Sequence, residues 1–156
     1  MLRRKETAVP RPAAPSSTSS ELTYLEMAFA RVPMFSACSV DELVRIAQVA
    51  TVRDVSEGTD VIREGEPGEE FFVILRGGAR ISRGGSAVAT LDAGDFFGEL
   101  ALVDPAPRNA TVTATSPMQV VVLARDAFRT VLDEAPIREH VLAGMARRLH
   151  ELDRMT

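Results

Sequence analysis

Residues 94–112, GDFFGELALVDPAPRNATV, hold the groups with the clearest chemistry in the chain. Gly98 is a place where backbone can approach a ligand closely, since no Cβ stands in the way. Glu99-Leu100-Ala101-Leu102 has good helix propensity, and the first turn of a short helix offers N–H groups with no internal partner and a positive dipole end. Asp104-Pro105-Ala106-Pro107 stops that run, because proline lacks the donor and restricts the residue before it. Arg108 comes immediately after, and a guanidinium pairs with phosphate in a forked geometry. Glu99 supplies one carboxylate able to accept from a sugar hydroxyl. Together these are the parts needed to hold a small phosphate ester. They also fit a plainer arrangement, a short helical connection between two strands with an ordinary surface arginine.

The elements that must position them can be read along the chain. Residues 1–20 contain Pro10, Pro12, Pro15 and a Ser/Thr run, the composition of a disordered tail. Leu22, Leu25, Phe29 and Val32 recur three and four apart, one face of a helix that Pro33 ends. Met34-Phe35 is an apolar plug. Ser39 with Glu42 three residues on has the form of a capping box, opening a second helix with Leu43, Ile46, Ala47 and Ala50 on its apolar face. From 51 to 124 strand signals dominate: 51–55, 60–63, 71–75, 79–83, 87–91, 111–115 and 118–123, punctuated by glycines, with Gly84-Gly85 as a hairpin turn. Short strands at this spacing imply a barrel or sandwich-like roll and not a parallel sheet. Residues 126–134 read as a helix broken at Pro136. Ile137, Val141, Met145, Leu149 and Leu152 then mark an amphipathic helix running nearly to the end.

Two blocks, Phe97-Gly98-Glu99-Leu100-Ala101-Leu102 and Pro107-Arg108-Asn109-Ala110-Thr111-Val112, resemble the phosphate-binding cassette of the cyclic nucleotide-binding domain family. The likeness extends over about residues 21–150, with Gly58, Gly65, Gly68, Phe72, Ile74 and Gly77 where that family has turn glycines and core apolars. It implies a mainly β fold with flanking helices. This would be an antiparallel, jelly-roll-like β-roll at 51–124 carrying the cassette at 96–112. An N-terminal helical bundle at 21–50 would precede it and C-terminal hinge and lid helices at 125–156 would come after it, all within one domain, 21–156. The implied site residues are Phe97, Gly98, Glu99, Leu100, Ala101, Arg108, Asn109 and Ala110. Backbone N–H groups of Gly98, Leu100, Ala101 and Ala110 would face the ribose or phosphate. Glu99 would accept from the ribose 2′-hydroxyl and Arg108 would pair with the exocyclic phosphate oxygens. Asn109 departs from the small residue or threonine common there. It could reach a base edge or face solvent, so cAMP is favoured as the family's default and cGMP stays open. The implied role is that of a regulatory sensor whose C-terminal helix changes position on binding. The alternative is a degenerate fold serving as a ligand-free protein interaction module.

Composition bounds the rest. A length of 156 residues suits one domain with a real core, and 46% apolar with 26% charged residues is normal for a globular protein. A net charge of −4 argues against nucleic acid as the main partner. The family often appends a helix-turn-helix after the long helix, but the sequence stops at Thr156, so no DNA binding by this chain alone is expected. Its output would pass through an unidentified effector protein or self-association. Cys38 is the single cysteine, which together with the absence of an apolar membrane-length run points to the cytoplasm. No catalytic residue, metal site or cofactor is called for. The two histidines, His140 and His150, sit ten apart on the last helix, outside the roll, where surface positions are expected. Glu69-Glu70, facing opposite ways in an extended stretch, is read as a solvated pair.

Overall fold

The computed structural model describes residues 19–102 and 106–154. The tail through residue 18 and the Asp104-Pro105 stop lie outside the described residues, as do the side chains of Leu149, His150 and Leu152. Ser19 and Ser20, read from the sequence as tail, instead open the first helix, α1 (Ser19–Ala30), where Glu21 places a negative charge in the first turn. Pro33 ends no more than it begins: it starts a 3₁₀ turn, Pro33–Phe35, at a position where its missing N–H costs nothing. Helix α2 (Val40–Gln48) carries the expected capping box, with Glu42 N donating to Ser39 Oγ (3.2 Å) and Ser39 N to Glu42 Oε1 (2.8 Å).

Eight strands come next: β1 (Thr51–Val55), β2 (Asp60–Ile62), β3 (Glu70–Arg76), β4 (Ala79–Arg83), β5 (Ser86–Leu91), β6 (Phe96–Phe97), β7 (Thr111–Ala114) and β8 (Met118–Ala124). They form two four-stranded sheets, ordered β1-β8-β3-β6 and β2-β7-β4-β5, with every paired neighbour antiparallel. Helices α3 (Arg125–Leu132) and α4 (Ala135–Arg154) close the chain. Pro136 lies in the first turn of α4, so the residue that breaks one helix also starts the next.

The apolar run on β3 shows how the layers are built. Successive side chains on a strand point to opposite faces. Phe72 and Ile74 face inward and pack with Val55, Phe97, Val112, Val120 and Val122 between the sheets. Phe71, Val73 and Leu75 face the other way, against Leu25, Phe29, Phe35, Ile46, Phe128, Ile137 and Val141 of the helical layer. A strand buried on both faces reads as continuous hydrophobicity instead of alternation. Strand β5, at a sheet edge, is exposed along nearly its whole length.

Phe35 is the hub of the helical layer. Its ring meets Phe29, Phe71 and Phe128 edge-on at centroid distances of 5.7, 6.3 and 6.0 Å. Against this 3₁₀ turn packs α4, close enough that a Cβ on Gly144 would lie 2.3 Å from the Met34 carbonyl oxygen. Phe35→Ala is therefore expected to destabilise the fold by about 3–5 kcal/mol, measured as a lowered urea midpoint; a loss below about 1 kcal/mol would show that the layer is not organised around this ring.

Candidate functional site

The cassette is positioned from β3. Strand β6 pairs with it in the register Phe72↔Phe97, and those two rings stack at 4.8 Å with 13° between planes. Gly98 then takes φ +80°, a conformation that favours glycine, and a Cβ there would stand 2.9 Å from both Glu70 O and Arg108 Nη1. The next segment, Glu99–Leu102, is a single 3₁₀ turn and not an α-helix. It buries Ala101 and Leu102, the latter in the helical-side core, and leaves Leu100 67% exposed. The Ala101 N–H donates to Gly98 O at 3.1 Å, so this group, expected to face a ligand, closes the turn here. So short a turn offers individual N–H groups and little macrodipole.

The returning limb is fixed by backbone on both sides of Arg108. Its N–H donates to Glu66 O (2.9 Å) and its carbonyl accepts from Gly65 N (2.7 Å). Glu64 N donates to Thr111 Oγ1 (3.0 Å), Gly84 N to Glu64 Oε1 (2.9 Å), and Arg83 Nε to Asn109 O (3.0 Å). The β2–β3 loop, the β4–β5 hairpin and the start of β7 are thereby tied together around one peptide unit.

The Arg108 side chain is half-buried in a slot between two glycines. A Cβ on Gly68 would fall 2.1 Å from its Nε, and Nη2 donates to Glu70 O at 2.7 Å. Burial pulls its pKa below the ordinary arginine value, an effect opposed in part by the nearby Glu70 charge. A guanidinium so placed is still a cation and, being partly desolvated, gains more from an incoming anion than a surface arginine would.

Arg108 borders a cavity of about 420 Å³, within the range of roughly 300–1,000 Å³ typical of small-molecule sites. All eight residues singled out from the sequence line it: Phe97, Gly98, Glu99, Leu100, Ala101, Arg108, Asn109 and Ala110. Ile62, Ile81 and Val112 supply an apolar wall. Sequence reasoning missed Arg83, which lines the same cavity. The signal was available, since Arg83 is two residues from Ile81 on β4 and so shares its face. Asn109 is exposed, and it is its carbonyl, through Arg83, that is engaged. No described side chain of α4 lines the cavity. A second hollow, about 490 Å³, opens at the far end of β1, β3 and β8 among Asp54, Glu57 and Arg76, without a comparable cation held against backbone.

One expectation needs correcting. Glu70 is not a solvated partner of Glu69: Glu69 is exposed, but the Glu70 carboxylate accepts from Arg53 Nη2 at 3.1 Å. An alternation rule predicts the face and not the partner waiting on it. His140 is half-exposed, as a surface residue would be, yet Nδ1 is 2.7 and 2.9 Å from the two carboxylate oxygens of Glu42, linking α4 to α2. Burial, with Glu42 adding to it, pushes the Cys38 thiol up to about 11, which makes it a poor nucleophile at neutral pH. Among the described residues no cluster of His, Cys, Asp and Glu could hold a metal ion, and no helix is long and apolar enough to cross a membrane.

The family model of the cyclic nucleotide-binding domain matches residues 52–135. The cAMP-dependent protein kinase regulatory subunit of Yarrowia lipolytica is 39% identical over 112 residues, covering 70% of this chain and 29% of that protein. Among solved structures, the N-terminal domain of a transcriptional regulator from Streptomyces coelicolor is 25% identical with a TM-score of 0.75, covering 84% of this chain and 95% of that one. The cAMP-bound PfPKA-R is 28% identical with a TM-score of 0.66, covering 88% and 48%. The chain spans between 21% and 30% of the length of the curated relatives it matches. With a match over more than half its length, on a roll whose cassette lines the Arg108 cavity, the chain belongs to the cyclic nucleotide-binding domain family.

Proposed function

We propose that this chain is a non-enzymatic sensor that binds a cyclic purine nucleotide, cAMP before cGMP, in the cavity bordered by Arg108. The observation that carries this reading is the Arg108 guanidinium, seated between Gly68 and Gly98 and braced by Glu70 O, at the edge of a mainly apolar cavity. A cyclic phosphodiester carries one negative charge, and one partly desolvated cation with a few N–H donors neutralises it without a second buried charge to solvate. Arg108 takes the exocyclic oxygens. N–H groups at Gly98, Leu100 and Ala110 face the phosphate and ribose, joined by Ala101 if its turn loosens. Glu99 accepts from the 2′-hydroxyl. The wall of Ile62, Ile81 and Val112 suits the flat, apolar faces of the sugar and base. The preference for cAMP leans on the names of relatives, a cAMP-dependent kinase subunit and a cAMP-bound structure.

The output proposed is a shift of the C-terminal helix. In this structure α4 packs against the 3₁₀ turn Pro33–Phe35, and the cavity is bordered by no described α4 side chain. Ligand drawing the Gly98–Leu102 turn inward would move Leu102, which is buried in the same helical-side core as Phe128, and so bias the helices. The signal passes to an effector protein, for which the kinase-subunit relatives suggest a catalytic chain, or to a second copy. A cytoplasmic setting fits an intracellular second messenger.

Calorimetric titration with cAMP, cGMP and 5′-AMP tests the reading: saturable binding of a cyclic nucleotide and none of 5′-AMP is expected. Absence of binding to both cyclic ligands would leave the fold as a protein interaction module. Arg108→Ala should cost about 2–5 kcal/mol of binding, and unchanged affinity would remove Arg108 from the site. Wild type should discriminate against the 2′-deoxy nucleotide and Glu99→Ala should not; equal affinities for both sugars in wild type would refute the Glu99 role. Gly68→Ala should weaken binding at least tenfold with little change in melting temperature, because its Cβ displaces the Arg108 side chain and not the backbone.

A further inference from the structure

Glu70 presents two acceptors at the start of β3. Its carbonyl, fixed by the strand, takes Arg108 Nη2 at 2.7 Å. Its carboxylate, on a rotatable stem, is held by Arg53 Nη2 at 3.1 Å. The carboxylate is already near enough to act on Arg108 electrostatically, raising its pKa against the effect of burial. A carboxylate is a stronger partner for a guanidinium than a neutral carbonyl is. It also carries the same single charge as a cyclic phosphodiester. Left unrestrained, it would compete with the ligand for Arg108. The setting favours such competition, since Arg108 also borders a small hollow shared with Asp60, Glu66, Glu69 and Glu70.

Arg53 is the described residue that restrains this carboxylate. It belongs to β1, on the far side of β8 from β3, in register with Val120, as is Ile74, whereas Glu70 is in register with Ala124. The side chain therefore reaches diagonally across β8. Its guanidinium carbon lies 5.9 Å from the centroid of Phe72, the ring stacked on Phe97 of the cassette, and the side chain is only 21% exposed. Cation–ring attraction and partial burial hold the arm in place, and the planar fork then fixes the carboxylate. A half-exposed ion pair contributes little to folding stability, so its larger effect falls on where the Glu70 charge points.

We propose that Arg53 is a positioning residue for the cyclic nucleotide site, which by holding the Glu70 carboxylate keeps Arg108 available to the phosphate. This rests on the cyclic nucleotide reading of the Arg108 cavity.

The test is titration of cAMP into wild type, Arg53→Leu, Glu70→Gln and the double variant, each checked for folding by thermal melting. Arg53→Leu is expected to weaken binding at least tenfold. Glu70→Gln should bind at least as tightly as wild type, and the double variant should return to within threefold of it. Unchanged affinity in Arg53→Leu, a double variant as weak as Arg53→Leu, or a loss in Glu70→Gln overturns the proposal. The second of these is the result a merely structural Arg53 would give. Should the leucine variant not fold, Arg53→Gln carries the same expectations. If wild type binds neither cAMP nor cGMP, the ligand reading falls and takes this one with it; if wild type binds and removing Glu70 does not rescue, only this one falls.

Discussion

The site depends on one constraint, that a half-buried cation be held at the edge of the cavity. A guanidinium withdrawn from water needs acceptors for its donors and neighbours small enough to admit it. Here the acceptor is a strand-end carbonyl, Glu70 O, and the small neighbours are Gly68 and Gly98, contributed by the β2–β3 loop and by the turn after β6. Neither glycine is replaceable without displacing the guanidinium or straining backbone. Both peptide groups flanking Arg108 are fastened to residues 65 and 66. The site is thus a property of β3 and the segments paired or looped onto it, and only secondarily of the cassette's own sequence.

Strand β3 also joins the site to the helices. Its even-numbered side chains, Phe72 and Ile74, belong to the core beneath the cassette, and its odd-numbered ones, Phe71 and Val73, belong to the helical layer. The cassette repeats this division within one turn. Phe97 packs into the inter-sheet core, while Leu102, five residues on, packs into the helical one. Close-packed interiors transmit small displacements because they have few voids to absorb them. A turn anchored in both cores is a place where a sub-ångström change on one side is felt on the other.

Much of this was legible in the sequence, for reasons that can be named. The capping box of Ser39 and Glu42 is a local motif whose two hydrogen bonds need only four residues. The stripe of Leu25, Phe29 and Val32 has helical period and buries as that period requires. The cassette residues line one cavity because they come from two short blocks close in sequence. Contact between segments distant in sequence is the part that escaped. Nothing around Glu70 announces Arg53, seventeen residues away and across an intervening strand. Arg83 looked like a hairpin-end residue until the fold brought Asn109 beside it. The short helical run expected at Glu99–Leu102 is a single 3₁₀ turn, since propensity sets a helical tendency and not the hydrogen-bond pattern.

The position of α4 is held by two kinds of contact with different weights. Ile137 and Val141 are buried in the helical layer, and Gly144 lets the helix axis approach the Met34 carbonyl more closely than any side chain would allow. Around them lie polar ties: His140 to Glu42, Arg147 Nη1 to Ser36 Oγ at 3.2 Å, and, just ahead of the helix, Arg45 to Glu134. Polar ties near solvent add little net stability, whereas burying a residue such as Ile or Val contributes about 1.5–3 kcal/mol. The apolar contacts therefore decide that α4 docks, and the polar ones decide its register along α2 and the 3₁₀ turn. Among the described residues, the apolar contacts of α4 thus fall on the side that faces the Pro33–Phe35 turn, with Met145 packed beside Ile137 and Val141 in the same layer. Apolar residues in place of Glu42 and His140 would extend that layer at the cost of the capping box, since Glu42 also accepts from Ser39 N.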